Sequence, residues 1–357
     1  MVKDLRKSAA ALLVASAVFS AQAQSPSSQG DFANKSIEEL MNIDVTSVAR
    51  KDQKLWKTPA AVYAITQEEI QRSGATTIPD LLRMAPGVQV AQVEPDRWAI
   101  SVRGFNGLYS NKLLVLVDGR TVYTPSFSGV YWDQIDIPLD TIERIEVIRG
   151  PGGTVWGANA VNGVINIITM SARDTQGAKV TAGAGSEQTA GYLAQFGGKI
   201  GDSGAYRISG GYSAFGALPT HDGSHLNNGW DVEHGGFRLD QKLSATDSLT
   251  LEGNAFSTNG NLDERAFPGV PPVMTELANH GFDVMGRWTR THSERSQSSL
   301  QVYETNYSRS DTGMSENLHT LDLDFQNQFQ AGSRNNIVWA AATASPATIS
   351  SHRPRAG

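Results

Sequence analysis

The sequence predicts a small α+β domain followed by antiparallel strands of a membrane β-barrel, and three observations carry that reading. From Ile145 to Thr169, IEVIRGPGGTVWGANAVNGVINIIT, two runs rich in β-branched residues flank a turn holding Gly150, Pro151, Gly152, Gly153 and Gly157. That is the composition of buried strands joined by a backbone-determined turn. From Lys179 onward the pattern changes to a period of two, with charged and apolar faces, which suits a wall between lipid and a wet lumen. No segment after the N-terminal leader has the roughly 18 consecutive apolar residues of a membrane helix, so entry into a membrane would require a closed barrel.

The leader comes first. Lys3, Arg6 and Lys7 precede an apolar run from Ala9 to Phe19, and Ala21-Gln22-Ala23 supplies the small residues that a signal peptidase reads,. Residues 1–23 are therefore expected to be a cleaved secretory signal peptide, with a retained anchor as the alternative. The formal net charge of -6 becomes more acidic once the basic leader is lost, which argues against nucleic acid as a main partner. The chain has no cysteine, so disulfide staples and thiolate metal sites are both excluded.

Residues 24–56 read as an extended N-terminal segment. Gln24 to Lys35 is rich in Ser and Gln, Ser36 with Glu39 fits a capping box, and Ile43-Asp44-Val45-Thr46-Ser47-Val48 is extended by propensity,. The α+β domain is expected over 57–172. Ala61 to Ile65 reads as a strand, Thr66 with Glu69 as a second capping box, and Gly74 as the stop of the short helix between them. Pro79 opens another helix carrying Leu81, Leu82 and Met84, which Pro86-Gly87 ends. Strands follow at Val88 to Val93 and Ala99 to Val102, and Asp118-Gly119 joins Leu113–Val117 to Arg120–Tyr123 as a hairpin,.

Over 173–339 about nine barrel strands are expected at roughly ten residues each. Tyr206, Ile208 and Tyr212 alternate with Arg207, Ser209 and Ser213, and Leu321, Leu323 and Phe325 alternate with Asp322, Asp324 and Gln326. A soluble antiparallel sheet would alternate too. Short turns at 201–204, 244–247, 292–296 and 331–334 alternate with longer connections, the longest at 216–230 and 259–280, which is the outer-membrane arrangement. After Trp339 the alternation is lost, so 340–357 reads as a tail without a strand pattern.

Residues Pro59 to Ser171 closely resemble the plug domain of TonB-dependent outer-membrane receptors: PDLLRMAPGVQV, SVRGFNG, LLVLVDGRTVY, IEVIRGP and NGVINIIT stand in the family's order. The resemblance implies an incomplete 22-stranded barrel in the outer membrane, of which this chain holds the first strands as a truncated receptor. It implies active uptake of a scarce solute, such as an iron-siderophore complex or a cobalamin-like molecule, with TonB and outer-membrane lipid as partners and no enzymatic step. The segment Ile43, Asp44, Val45, Thr46, Ser47, Val48 resembles the TonB box, which is offered to TonB as an added strand. Arg103 and Arg149 match the two plug arginines that pair with barrel glutamates. Alternatives are a decayed or partner-dependent fragment without transport, or a passive barrel or adhesin.

Solute contacts are expected in the loops Asp96–Trp98, Phe105–Lys112 and Thr124–Trp132, where aromatic and polar side chains interleave. The candidates are Trp98, Phe105, Asn106, Tyr109, Ser110, Asn111, Phe127, Tyr131 and Trp132. His221, His225 and His234, with Asp222 and Asp231, read as a solvated loop rather than a metal site, since Gly223 disfavours the helix that would align them. No cofactor is implied: RGPGGT lacks the lysine of a phosphate-binding loop, and no hydrolase elbow or zinc-protease motif is present.

Overall fold

The computed structural model describes residues 44–47, 50, 53, 54, 58, 60–157, 159–218, 228–264, 273–311, 314–332, 335–345 and 348–352. The leader, Ser36 with Glu39, Ile43, Val48, His221, Asp222 and His225 lie outside the described residues.

The N-terminal domain is built on a five-stranded sheet of order β3-β8-β9-β6-β7, where β3 is Ala61–Thr66, β6 Leu113–Val117, β7 Arg120–Thr121, β8 Ile142–Arg149 and β9 Gly163–Thr169. Strand β9 lies between β8, antiparallel, and β6, parallel. Its central position on a two-faced sheet accounts for the nearly unbroken apolar sequence VINII. On one face Ile65, Val115, Val117, Ile145, Val147, Ile165 and Ile167 are buried under helices α1 (Gln67–Ser73) and α2 (Ile78–Leu82) and the hairpin of β4 (Val88–Glu94) and β5 (Arg97–Val102). The other face carries a smaller cluster of Leu114, Leu116, Ile148, Ala160 and Val164.

Local chemistry explains the elements. Thr66 and Glu69 form the reciprocal capping box of α1, and Gly74 ends that helix at φ 69°, a left-handed geometry that glycine adopts without a Cβ clash. Asp118 at φ 48° and Gly119 at φ 82° make the tight turn between β6 and β7. The glycine-rich turn after β8 includes one helical turn, α3 (Gly153–Trp156), which sequence reading treats as loop.

The second part is an antiparallel sheet in which each strand pairs with the next: β10 (Gly177–Gly183), β11 (Gln188–Ile200), β12 (Gly204–Phe215), β13 (Trp230–Lys242), β14 (Asp247–Glu264), β15 (Val273–Ser293), β16 (Ser296–Asp311), β17 (Met314–Ala331) and β18 (Asn335–Ala344). These are the nine strands expected, and β10 and β18 do not pair with each other among the described residues. Apolar side chains such as Tyr192, Ile208, Phe237 and Leu321 are exposed on the outer face, whereas Arg207, Glu252, Gln301 and Arg309 are buried against the N-terminal domain. Such a polar-in, apolar-out pattern is the reverse of a soluble core and fits a membrane wall.

Two expectations are corrected. Much of the long connection expected at 259–280 is ladder, since β14 reaches Glu264 and pairs there with Val273. Its polar, glycine-containing sequence looks like a loop, but cross-strand backbone bonds need no apolar side chains. The tail after Trp339 is likewise not devoid of strand: β18 continues to Ala344, and β19 (Thr348–His352) pairs with Ser315–His319 of β17. Its register differs by one residue from that of β18, so β18 and β19 cover successive stretches of one edge of β17 with a slip between them.

Candidate functional site

Two polar sites lie toward opposite rims of the sheet. The first is on the small-cluster face of the five-stranded sheet. Glu146 of β8 and Asn166 of β9 are register partners, and both are buried among aliphatic neighbours. A buried carboxylate needs donors, because desolvation without hydrogen bonds costs several kcal/mol, about 2–7 even for a neutral polar group. The expected TonB-box segment supplies them. Its residues β1 (Asp44–Val45) pair antiparallel with β2 (Gln53–Lys54), and the Thr46 N–H donates to both Glu146 oxygens at 3.0 Å while the Ser47 N–H donates at 2.8 Å. Asn166 Nδ2 donates to Ser47 Oγ at 3.0 Å, and Trp156 Nε1 donates to the Ser47 carbonyl at 2.5 Å. Val45 and Ser47 are fully buried. Just beyond, Arg50 pairs with Asp324 of β17 at 2.5 Å, accepts Gln326 Nε2 on its carbonyl at 2.6 Å, and lies over the Trp156 ring at 4.7 Å. This corner opens on a polar cavity of 950 Å³ bordered by the short turn at 293–296.

The second site is near the rim that carries the connection 216–229. A cavity of 310 Å³ is lined by Trp98, Tyr109, Phe127, Tyr131 and Trp132 together with Asp96, Arg97, Asp133, Arg309, Asp311 and Glu316. Five of the nine expected contact residues thus meet in one place. Tyr109, Phe127, Tyr131 and Tyr307 form an edge-to-face series with centroids 5.2, 5.1 and 6.4 Å apart, the packing that ring quadrupoles favour. Phe105, Asn106 and Asn111 stand exposed outside the cavity, and Ser110 Oγ ties their turn together by donating to the carbonyls of Phe105 and Gly107 at 3.1 and 2.8 Å.

Of the charged members, Asp96 and Arg97 fall in the expected loop Asp96–Trp98 without having been singled out, and Asp133, Arg309, Asp311 and Glu316 were not foreseen from sequence. Arg309 bonds Asp133 at 2.7 Å and Asp311 at 2.7 Å, with its guanidinium over the Tyr131 ring at 4.0 Å. Arg97 reaches Asp311 at 3.2 Å. Glu316 accepts the hydroxyls of Thr124, Tyr131 and Tyr307 at 3.1, 3.2 and 2.6 Å. Asp96 sits at the tip of the β4–β5 hairpin, 1% exposed, and its carboxyl is pushed up to about 7, first by burial and then by the Asp133 charge. Burial also pushes the Tyr131 hydroxyl above its ordinary value. The signal available in sequence was the run Glu94-Pro95-Asp96-Arg97, a charged tip between two strands.

Between the sites the domain is held to the sheet by further pairs: Arg120 with Asp283 at 2.9 Å, Arg238 with Asp118 at 4.0 Å, and Asp240 accepting the Ala172 N–H at 2.7 Å. Arg103 and Arg149, the expected locking pair, form no ion pair among the described residues. Arg149 Nη1 donates to the Pro86 carbonyl at 3.2 Å, and the Arg103 guanidinium lies against Gly150. His234, expected in or beside a solvated loop, is on β13 next to that connection, where Nδ1 is 2.7 Å from Asp136. Among the described residues no group of three or more His, Asp or Glu could hold a metal ion.

Residues 54–164 match the family described as the TonB-dependent receptor plug domain. The chain is 39% identical over 145 residues to the vitamin B12 transporter BtuB of Vibrio vulnificus, covering 40% of this chain and 23% of that protein. To the BtuB of Vibrio cholerae serotype O1 it is 34% identical over 199 residues, covering 56% and 32%. The fold is similar to the ferripyoverdine receptor of the outer membrane of Pseudomonas aeruginosa, with TM-score 0.64 at 15% identity over 87% of this chain and 46% of that one. It is also similar to the siderophore receptor PirA of Acinetobacter baumannii, with TM-score 0.60 at 19% identity over 80% and 48%. The chain therefore spans a quarter to a third of the curated relatives' length and about half of the solved ones. Residues 54–164 are thus similar in sequence to the plug domain of TonB-dependent receptors, and the fold of the plug and the antiparallel sheet together is similar to that of such receptors.

Proposed function

We propose that the chain serves a TonB-dependent outer-membrane receptor that takes up a scarce solute, of the iron-siderophore or cobalamin kind, without chemical change to it. The observation that carries this reading is the placement of two sites on one small domain: an aromatic cavity toward one rim, and an extended segment latched onto the same sheet toward the other. In this reading solute binding at the first is transmitted through the plug and its ion pairs with the barrel strands to release the second. Strand addition by TonB needs the backbone groups of Asp44–Ser47, which are engaged by Gln53–Lys54 and Glu146, so binding at TonB must compete with these bonds. The names of the relatives, vitamin B12 transporters and siderophore receptors, support the same class of solute.

In this reading the leader directs export, the apolar outer face meets outer-membrane lipid, and TonB pulls Ile43–Val48 so that the plug rearranges. Trp98, Tyr109, Phe127, Tyr131 and Trp132 contact solute directly, while Phe105, Asn106, Ser110 and Asn111 form an outer turn that meets it first. Arg149, whose side chain lies at Gly87, and Arg103, whose guanidinium lies at Gly150, are kept as the pair that meets carboxylates of further receptor strands. The test is accumulation of radiolabelled cyanocobalamin or of a ferric siderophore by cells expressing the receptor, with and without TonB. Accumulation that needs TonB supports the reading; accumulation that does not need it indicates a passive barrel.

A further inference from the structure

The cavity near the 216–229 rim has a charge imbalance that its own side chains leave unresolved. Four carboxylates, Asp96, Asp133, Asp311 and Glu316, line it against two guanidiniums, Arg97 and Arg309. Both guanidiniums are engaged, Arg309 by Asp133 and Asp311 and Arg97 by Asp311. Glu316 is occupied by three hydroxyls. Among the described residues Asp96 alone of the four is left: it is 1% exposed, and neither carboxylate oxygen has a hydrogen-bond partner there. An unpaired buried carboxyl is costly, so native structures retain one where a partner arrives from outside or a function needs it.

The surroundings specify the partner. Trp98 of β5, two residues on, is buried with its Nε1 also unpartnered among the described residues, and it packs edge-on against Trp230 at 6.1 Å. Aromatic faces attract cations, as the Arg309 guanidinium over Tyr131 already shows within this cavity,. A polyanion would meet the surplus of carboxylates. A bare metal ion lacks the convergent ligand set among the described residues.

We propose that this cavity recognises an organic cation, a protonated amine or guanidinium carried on an aromatic or alkyl body, with the Asp96 carboxylate as its counter-ion and Trp98 beside it. The inference rests on the uptake reading of the same cavity and narrows its solute to one that presents a cationic group. Asp96, at a hairpin tip anchored by Gln92 Nε2 on the Pro95 carbonyl at 3.1 Å, then acts as a fixed receptor for charge rather than as part of the domain's folding core.

Three probes of like size and different charge test this on the full chain in detergent: phenethylamine, 3-phenylpropan-1-ol and 3-phenylpropanoate, with binding followed by calorimetry. The amine is expected to bind at least tenfold tighter than the alcohol, and the carboxylate weakest. In Asp96→Asn the preference for amine over alcohol should fall below twofold, while Asp140→Asn, outside the cavity, should retain it. Equal binding of amine and alcohol by the unaltered chain would overturn the proposal, even if the Asn variant failed to fold. Persistence of the preference in Asp96→Asn would overturn it too. Cellular accumulation with and without TonB reports separately on transport, so a failed uptake assay with an intact amine preference removes the uptake reading and leaves cation recognition standing.

Discussion

The fully buried Glu146 carboxylate accepts the Ser47 backbone N–H at 2.8 Å across 99 residues of sequence. One side chain in the centre of the plug sheet thereby restrains the segment proposed to engage TonB. Glu146→Ala should leave the Thr46 and Ser47 donors unsatisfied, at a cost of about 1–3 kcal/mol each when buried. The expected result is faster amide hydrogen exchange at 44–47, by tenfold or more, with exchange in β9 little changed. Unaltered exchange at 44–47 would show that the latch lies elsewhere.

Arg50 and Asp324 form the next tether, from the same segment to β17. Their side chains are 19% and 18% exposed, so the pair is worth less than a fully buried one, on the order of 1 kcal/mol. Arg50→Asp should loosen the segment a few-fold in the same exchange experiment, and the double variant Arg50→Asp with Asp324→Arg should restore it. Lack of rescue by the swap would assign the effect to packing of Arg50 on Trp156 instead.

Glu316 joins plug to sheet by accepting three hydroxyls. In Glu316→Ala the hydroxyls of Thr124, Tyr131 and Tyr307 lose their shared acceptor, and a loss of about 1–3 kcal/mol is expected. Glu316→Gln, which keeps an acceptor oxygen, should lose less. Denaturant midpoints of the chain in detergent measure both.

Much of the plug was legible in sequence because its punctuation is chemical. The Thr66–Glu69 box, Gly74 and Asp118-Gly119 each act over a few residues, and the structure uses them as read. The outward apolar face of the sheet was legible for the same reason, since a period of two is local. What escaped depended on long-range pairing. Glu146 looks like an ordinary charge in IEVIR until Thr46 and Ser47 meet it, and Asp133 and Arg309 are 176 residues apart in sequence yet 2.7 Å apart in space. The strand character of 340–344 was missed because Ala-rich backbone pairs with β17 without any side-chain pattern. Composition alone does not separate Tyr109, which lines the cavity, from Phe105, which is exposed outside it.

The pH dependence of the cavity follows from Asp96. Its folded value of about 7 lies above the unfolded reference of about 3.9, so the native state holds a proton that the unfolded state has lost between those limits. The cost of ionising Asp96 is full above the upper limit and disappears as pH falls toward the lower one. Stability should therefore rise on acidification across that window, by at most about 1.4 kcal/mol per pH unit for one proton. Glu94, Arg97, Asp133 and Arg309 set the local field. Asp96→Asn should flatten the profile of the denaturant midpoint between those limits; an unchanged slope would place the titration on another group.

The most direct test of the central claim uses the absence of native cysteine. A single cysteine placed at Thr46 in the receptor, expressed in cells whose TonB carries a cysteine in its periplasmic domain, should form a disulfide with TonB. The yield should increase when Glu146→Ala releases the segment, and a cysteine at Asn111 should give none. A cross-link at Asn111 equal to that at Thr46, or none at Thr46 even with Glu146→Ala, would contradict the account of Asp44–Ser47 as a latched TonB-binding segment.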